Sequence, residues 1–447
     1  MKIKYTINIV MNKIFLLNFL LFCCLISINA QKPAVKALKT DAVTTELRRQ
    51  SFEKVWNTIN EKHYDPTFGG VEWGKMRVIY EPQATAAKTN AEFNAVLNRM
   101  LGELKLSHFV VYSPIAAVET AKVVDGVTGI KVSWIENQPL ISSVAKDSAA
   151  EKSGIKTGFV VSKVNGKTVA EILAPLEKSF AEGIFSEAKK NLYRQYVLLS
   201  RIDGDAAAKV KIEVLDGKNQ PQIFESARIE LKSEMSPAVG NFPPQEIVFE
   251  SKMLDNNIGY IRFNIWVVPQ MPKIREAIRS MKDANGIVFD LRGNPGGIGG
   301  MAPGIGGLLS DKQFSLGTMN SRSNEMKFIA YPQTAPYLGK IAILTDGGSG
   351  STSEVFAAGM QETERAKVVG ERSAGQILLS VFDTLPTGAI FQYAISDYKS
   401  PKNILIEGRG VIPDVEVKTT RQTLLEGRDA QLEEAVKLIN SQKLSQK

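Results

Sequence analysis

Cysteine and histidine are nearly missing from this 447-residue sequence, which has two of each. Both cysteines, Cys23 and Cys24, lie in one apolar run near the start. If that run is removed, the rest of the chain has no disulfide, no thiolate nucleophile and no thiolate metal site. The histidines, His63 and His108, are far apart and make no local ligand pair; neither a metal nor a cofactor is expected. His63, in HYDPTFGGVEW, reads as a surface or loop residue rather than a ligand. Nor is there a basic tract. The formal charge of +8 is spread along the chain, so no nucleic-acid partner is expected. No internal repeat is present, and nothing after residue 30 must span a membrane. Hydrophobic content of 44% with 23% charged residues is ordinary for a globular chain, and the length allows two or three domains.

From Met11, MNKIFLLNFLLFCCLISINA has a lysine, an apolar stretch and a small-residue end. That layout predicts a secretory signal peptide over residues 1–30, cleaved after Ala30, and hence export to the periplasm or the exterior. A retained anchor is the competing reading, but the run is short for a full span. Cleavage would remove Lys2, Lys4 and Lys13 and no acid, taking the formal charge from +8 to +5.

Four further regions follow. Phe52, Val55, Trp56 and Ile59, then Phe93, Val96, Leu97, Met100, Leu101 and Leu104, recur at helical spacing, predicting a helical domain over 43–120 that ends in Ser107-His108 and a strand, FVVYSP. Over 121–235 short β-rich runs dominate, with a hairpin at Asp216-Gly217 and a helical insert from Val169 to Ser200. From 245 to 420, strands Ile258–Phe263, Gly286–Leu291, Ile341–Leu344 and 366–370 alternate with helices, predicting an α/β core. A C-terminal helix and tail fill 421–447. The fold class expected is multi-domain α+β.

Two stretches of the core are candidates for chemistry. Ser349, Ser351 and Ser353 lie in a Gly/Ser/Thr turn between a strand and a helix, where backbone amides and the helix N-terminus favour a developing negative charge. They also suit N-caps, with Glu354 helping to start the helix, and spacing alone leaves both readings open. The other stretch, Asp290 to Gly297 (DLRGNPGG), is rich in backbone donors. A phosphate loop would need Lys-Ser/Thr after the glycines or G-x-G-x-x-G, and neither is there; an oxyanion hole fits better.

DLRGNPGG, SGSTSEVFAA (Ser349–Ala358) and Val368-Val369-Gly370-Glu371 together resemble the C-terminal processing, or tail-specific, serine peptidases. The resemblance implies a crotonase-like ββα core, Ser351 as nucleophile, and the amides of Gly297 and Thr352 as oxyanion donors. Residues 121–235 resemble a PDZ domain, through Gly126-Val127-Thr128-Gly129-Ile130, Ser148-Ala149-Ala150, Gly154–Gly158 and Val164-Asn165-Gly166-Lys167. That implies binding of an extended peptide by strand addition, with its terminal carboxylate held at residues 126–130.

Many members of that family take their base from a lysine after the G-E. Gln376 stands at that place here, and an amide is not basic. The chain is similar instead to the tricorn-core-like branch, which uses histidine. Ser107-His108 and Glu407, before Gly408-Arg409-Gly410-Val411-Ile412-Pro413-Asp414, match that branch. The resemblance implies His108 as general base, with Ser107 and Glu407 supporting it. An exported serine endopeptidase acting on peptide or protein substrates is therefore expected. The alternatives are a non-catalytic binding protein on the same fold, or a Ser–Lys peptidase recruiting Lys367, Lys399 or Lys402.

Overall fold

A computed structural model describes residues 44–112, 126–181, 187–206, 208–230, 234–239 and 244–441. Those from Thr45 onward belong to one compact unit. The expected signal peptide lies outside the described residues. Among the described residues no helix is long and apolar enough to cross a membrane.

The first layer is helical: Thr45–Lys62, Trp73–Ala86 and Asn90–Gly102. Its periodic apolar side chains, among them Phe52, Val55, Ile59, Leu97 and Met100, are buried together. Each such side chain contributes about 1.5–3 kcal/mol on burial. The third helix starts where Thr89 accepts the Glu92 N–H, satisfying one of the donors that a helix start leaves open. His63 corrects the sequence reading. It is 1% exposed and stacked against Tyr64 and Phe109, with ring centroids 4.8 and 5.3 Å away. The apolar faces of these rings outweigh the polarity of the imidazole, so it packs as a core aromatic.

Residues 126–230 carry an antiparallel sheet in the order Ile130–Ile135, Gln138–Val144, Val160–Val164, Lys209–Leu215, Pro221–Ala227. The expected hairpin closes at Asp216, whose carboxylate accepts the N–H groups of Lys218 and Gln220. The insert is two helices, Val169–Ala181 and Glu187–Ile202.

The core is a six-stranded sheet in the order Phe249–Leu254, Ile258–Phe263, Gly286–Asp290, Lys340–Thr345, Lys367–Gly370, Val415–Glu416. Only the first pair is antiparallel. The central strands are buried on both faces, which explains their unbroken apolar character. Helices Gln270–Ser280 and Thr352–Glu362 cover one face. The C-terminal helix Ala430–Ser441 covers the other, and comes so close that a Cβ at Gly286 would lie 2.5 Å from Ile439.

Two hairpins have no counterpart in the sequence reading: Phe314–Asn320 with Glu325–Ala330, and Leu379–Thr384 with Ile390–Ser396. The second matters for the site. Its strand Ile390–Ser396 also pairs with Val110–Tyr112, just after His108. The strand Val110–Tyr112 itself is expected within FVVYSP, but its partner is hundreds of residues away and no local pattern signals the pairing.

Candidate active site

The central strand Lys340–Thr345 ends at a tight turn from which helix Thr352–Glu362 leaves. The turn distinguishes its three serines. Ser349 Oγ is buried and donates to the Leu291 carbonyl at 2.8 Å. Ser353 Oγ is buried too, donating to the Asn294 carbonyl at 3.0 Å and accepting Trp266 Nε1–H at 2.8 Å. Both hydroxyls are occupied in tying the turn to the glycine loop. Ser351 is half-buried and forms a capping box with Glu354 at the helix start, and among the described residues its Oγ–H donates to no acceptor. Its backbone, at φ 51° and ψ −117°, lies where side chains are disfavoured. Such a turn between strand and helix presents a hydroxyl at the cost of local strain.

Glu354 holds that strain in place. Its fully buried carboxylate accepts the N–H of Ser351 at 3.1 Å, Gly375 at 2.7 Å and Gln376 at 2.9 Å, and the hydroxyl of Ser373. Burial pushes the carboxyl up to about 7, against the four donors that favour its ionised form.

The glycine loop rests directly on the serine. A Cβ at Gly296 (φ +102°) would lie 2.5 Å from Ser351 Cβ, so only glycine fits there. Gly297 bridges to Trp266 through its neighbours: Gly296 O accepts Trp266 N–H, and Ile298 N–H donates to Trp266 O. This pattern turns the Gly297 N–H away from Trp266. Thr352 Oγ1 donates to Gly297 O at 2.9 Å, tying the loop to the first turn of the helix. Among the described residues the N–H groups of Gly297 and Thr352 have no acceptor. Asp290 and Arg292 anchor the base of the loop. Burial would raise the Asp290 carboxyl, but the Arg292 guanidinium holds it down to about 2, and Arg292 also pairs with Asp429.

The residues expected to support catalysis upstream are joined as well. Glu407 accepts Ser107 N–H at 2.7 Å and Ser107 Oγ–H at 3.0 Å, and Ser107 Oγ lies 2.6 Å from His108 Nδ1. A hydroxyl has one proton; since it goes to the carboxylate, the oxygen must accept Nδ1–H. The imidazole lone pair is then on Nε2. Burial, with the Lys189 charge adding to it, pushes the His108 pKa down to about 4. Burial also raises Glu407, while bonds from Ser107 and Ile377 and the charge of Lys189 pull it back. His108, like Ser351, is at positive φ (63°).

One peptide group connects the two halves. The Gln376 carbonyl accepts Ser351 N–H at 2.8 Å, and the N–H of the same peptide bond, on Ile377, donates to Glu407 at 3.0 Å. Among the described residues no hydrogen bond joins Ser351 Oγ to His108. Of the lysines weighed as substitutes, Lys367 pairs with Asp414. Among the described residues no bond ties Lys399 or Lys402 to Ser351, His108 or Glu407. The lysine whose charge reaches the site is Lys189, on helix Glu187–Ile202, and no spacing in the sequence signals it. Trp266 and Ser373 were also not singled out, because only the fold brings them to the turn. Among the described residues no cluster of side chains could hold a metal.

Residues 257–417, which contain the serine turn, the glycine loop and Glu407, match the model of peptidase family S41, and residues 45–102 match the tricorn protease C1 domain. Over residues 257–417, then, the chain is similar to peptidase family S41. The chain is 28% identical over 304 residues to a probable CtpA-like serine protease of Staphylococcus haemolyticus, covering 65% of this chain and 52% of that protein. It is 23% identical over 367 residues to the carboxyl-terminal-processing protease of Synechocystis, covering 80% and 78%. The chain thus spans about half the length of the staphylococcal relative. The fold is similar to that of a photosystem II D1 C-terminal processing protease, with a TM-score of 0.56 at 19% identity, over 88% of this chain and 97% of the other. The α+β organisation of this chain, N-terminal helices with a mixed core, is like that of that structure.

Proposed function

We propose that this chain is an exported serine endopeptidase in which Ser351 is the nucleophile and His108 the general base. Ser351 Oγ attacks the substrate carbonyl while His108 Nε2 takes the hydroxyl proton. The amides of Gly297 and Thr352 receive the oxyanion, and His108 then protonates the leaving amine. Water, activated by the same histidine, releases the acyl group. Glu407 and Ser107 are positioning residues that keep Nδ1 protonated. Residues 121–235 act as a PDZ-like domain that engages substrate C-terminal segments, and export rests on the character of residues 1–30.

The observation that carries the catalytic reading is the relay from Glu407 through Ser107 to His108, fixed to the Ser351 backbone by the Gln376–Ile377 peptide group. The test is peptide hydrolysis by Ser351→Ala and His108→Ala. Each is expected to lose at least about a thousand-fold in kcat/KM, with some turnover left by binding and the oxyanion donors. Full activity in either variant refutes the assignment.

The missing Ser351–His108 hydrogen bond favours a second reading, a non-catalytic binding protein. A folded chain that binds peptide but is not labelled at Ser351 by a fluorophosphonate supports that reading instead.

A further inference from the structure

The expected peptide-carboxylate cradle at residues 126–130 contains a carboxylate of the chain itself. Thr128 N–H donates to Asp203 Oδ1 at 2.9 Å, and Thr128 Oγ1 donates to the same oxygen at 3.1 Å. The neighbouring Ile130 N–H is taken by Thr128 Oγ1 at 3.3 Å. The segment after Asp203 comes up against the loop. Gly126 and Gly204 exchange backbone bonds of 2.8 and 2.9 Å. A Cβ at Gly126 would lie 2.4 Å from Ala206 Cα, so this approach requires glycine.

Asp203 follows the last residue of helix Glu187–Ile202. A carboxylate at a helix C-terminus faces the negative end of the macrodipole and is disfavoured there. Arg228 offsets part of this by donating to the carbonyls of Arg201 and Ile202, and the two bonds from Thr128 offset more. The same helix lies along strand Ile130–Ile135, the edge of its sheet. Leu198 and Ile202 are buried with Ile130 and Val132, and the Arg194 guanidinium sits 5.4 Å over the Trp134 ring. The helix that ends in Asp203 therefore packs on one face of this strand, beside the edge to which a peptide strand would add.

We propose that Asp203 is a built-in carboxylate ligand of the 126–130 loop, and that a substrate's terminal carboxylate binds there by displacing it. The proposal rests on the PDZ-like reading of residues 121–235 and is independent of the catalytic assignment. A tethered competitor acts at an effective concentration in the millimolar range. Apparent affinity for an incoming terminus is lowered by the fraction of loops that Asp203 leaves open.

The test uses the full chain carrying Ser351→Ala, so that nothing is cleaved and the outcome does not depend on the nucleophile. Two fluorescein-labelled peptides ending in Leu-Val-Ala, one with a free carboxylate and one amidated, are titrated by anisotropy. Adding Asp203→Ala is expected to tighten the free-acid peptide about tenfold or more and to leave the amide peptide within about twofold. Asp203→Asn keeps an oxygen for Thr128 without the charge and should give part of the gain. It also serves as the test if the alanine variant does not fold. Unchanged or weaker binding of the free acid overturns the proposal, as does equal binding of acid and amide in the Asp203 variants.

Discussion

Ser351 and His108 are held by different kinds of structure. Around Ser351 nearly every neighbouring group is tied to the loops that leave the central sheet: Ser349 to Leu291, Ser353 to Asn294 and Trp266, Glu354 to Gly375 and Gln376. His108 is positioned by a three-residue strand, one serine hydroxyl and the Glu407 carboxylate, which binds Ser107 from 300 positions away in sequence. The nucleophile is thus fixed by a packed core, and the base by a few long-range bonds whose loss would leave the fold standing. Damage to the His108 half should appear in rate, and damage to the Ser351 half in stability as well.

The largest effect expected within this comparison is on the His108 half. Glu407→Gln puts an amide where the Ser107 and Ile377 donors converge and removes the charge that sets the imidazole tautomer. We expect kcat/KM to fall about 10²–10⁴-fold with a melting temperature near that of the parent chain. A large loss of stability with normal activity would reverse the comparison.

Glu354→Gln probes the other half. Either oxygen of Glu354 accepts two donors, so the new amide nitrogen must face at least one backbone N–H that loses its acceptor. A loss of about 1–3 kcal/mol in urea unfolding is expected, together with slower turnover. Unchanged stability would mean that the carboxylate does not carry the turn.

The pH profile separates the halves by their titrations. With its pKa at about 4, His108 is a neutral base over the range where an ordinary histidine is protonated. The acid limb of kcat/KM is therefore expected near pH 4, with activity lost as pH falls through it. Burial is the larger cause and Lys189 the smaller. Lys189→Gln should accordingly move the limb upward without bringing it to the ordinary 6.5. The sign for Glu354 is opposite. Its raised pKa means that the folded chain binds more protons than the unfolded one between about 4.5 and 7, so this group's contribution to stability falls as pH rises through that window.

The smallest effect concerns backbone strain. Glycine adopts the Ser351 conformation without penalty, whereas alanine keeps it. Ser351→Gly should be more stable than Ser351→Ala by about 1 kcal/mol; equal stabilities would remove the strain from the account.

The same contrast determines what could be read from the sequence. The serine turn and the glycine loop each occupy one short stretch, so both were visible as candidates, while the choice of Ser351 and its oxyanion donors came from the family resemblance. The core strands were visible because burial on both faces leaves an unbroken apolar run. Glu354 stood out only as a residue starting a helix, because its other three partners come from residues 373–376. The strand after His108 was seen, but not its pairing with Ile390–Ser396, which sets where the histidine goes. His63 was read as a surface or loop residue because no second histidine lies near it in sequence; it does lie in a loop, and the stacking rings that bury it belong to the fold. Lys189 lies in the first turn of helix Glu187–Ile202 and Asp203 just after its end, and the sequence reading placed here only a helical insert from Val169 to Ser200.

The most direct test of the central claim, that Ser351 and His108 work as one site, is the second-order rate of Ser351 labelling by a fluorophosphonate in the parent chain and in His108→Gln. A fall of at least about a hundred-fold, with the melting temperature held, is the predicted result. Labelling at the parent rate would contradict the claim and assign the base elsewhere.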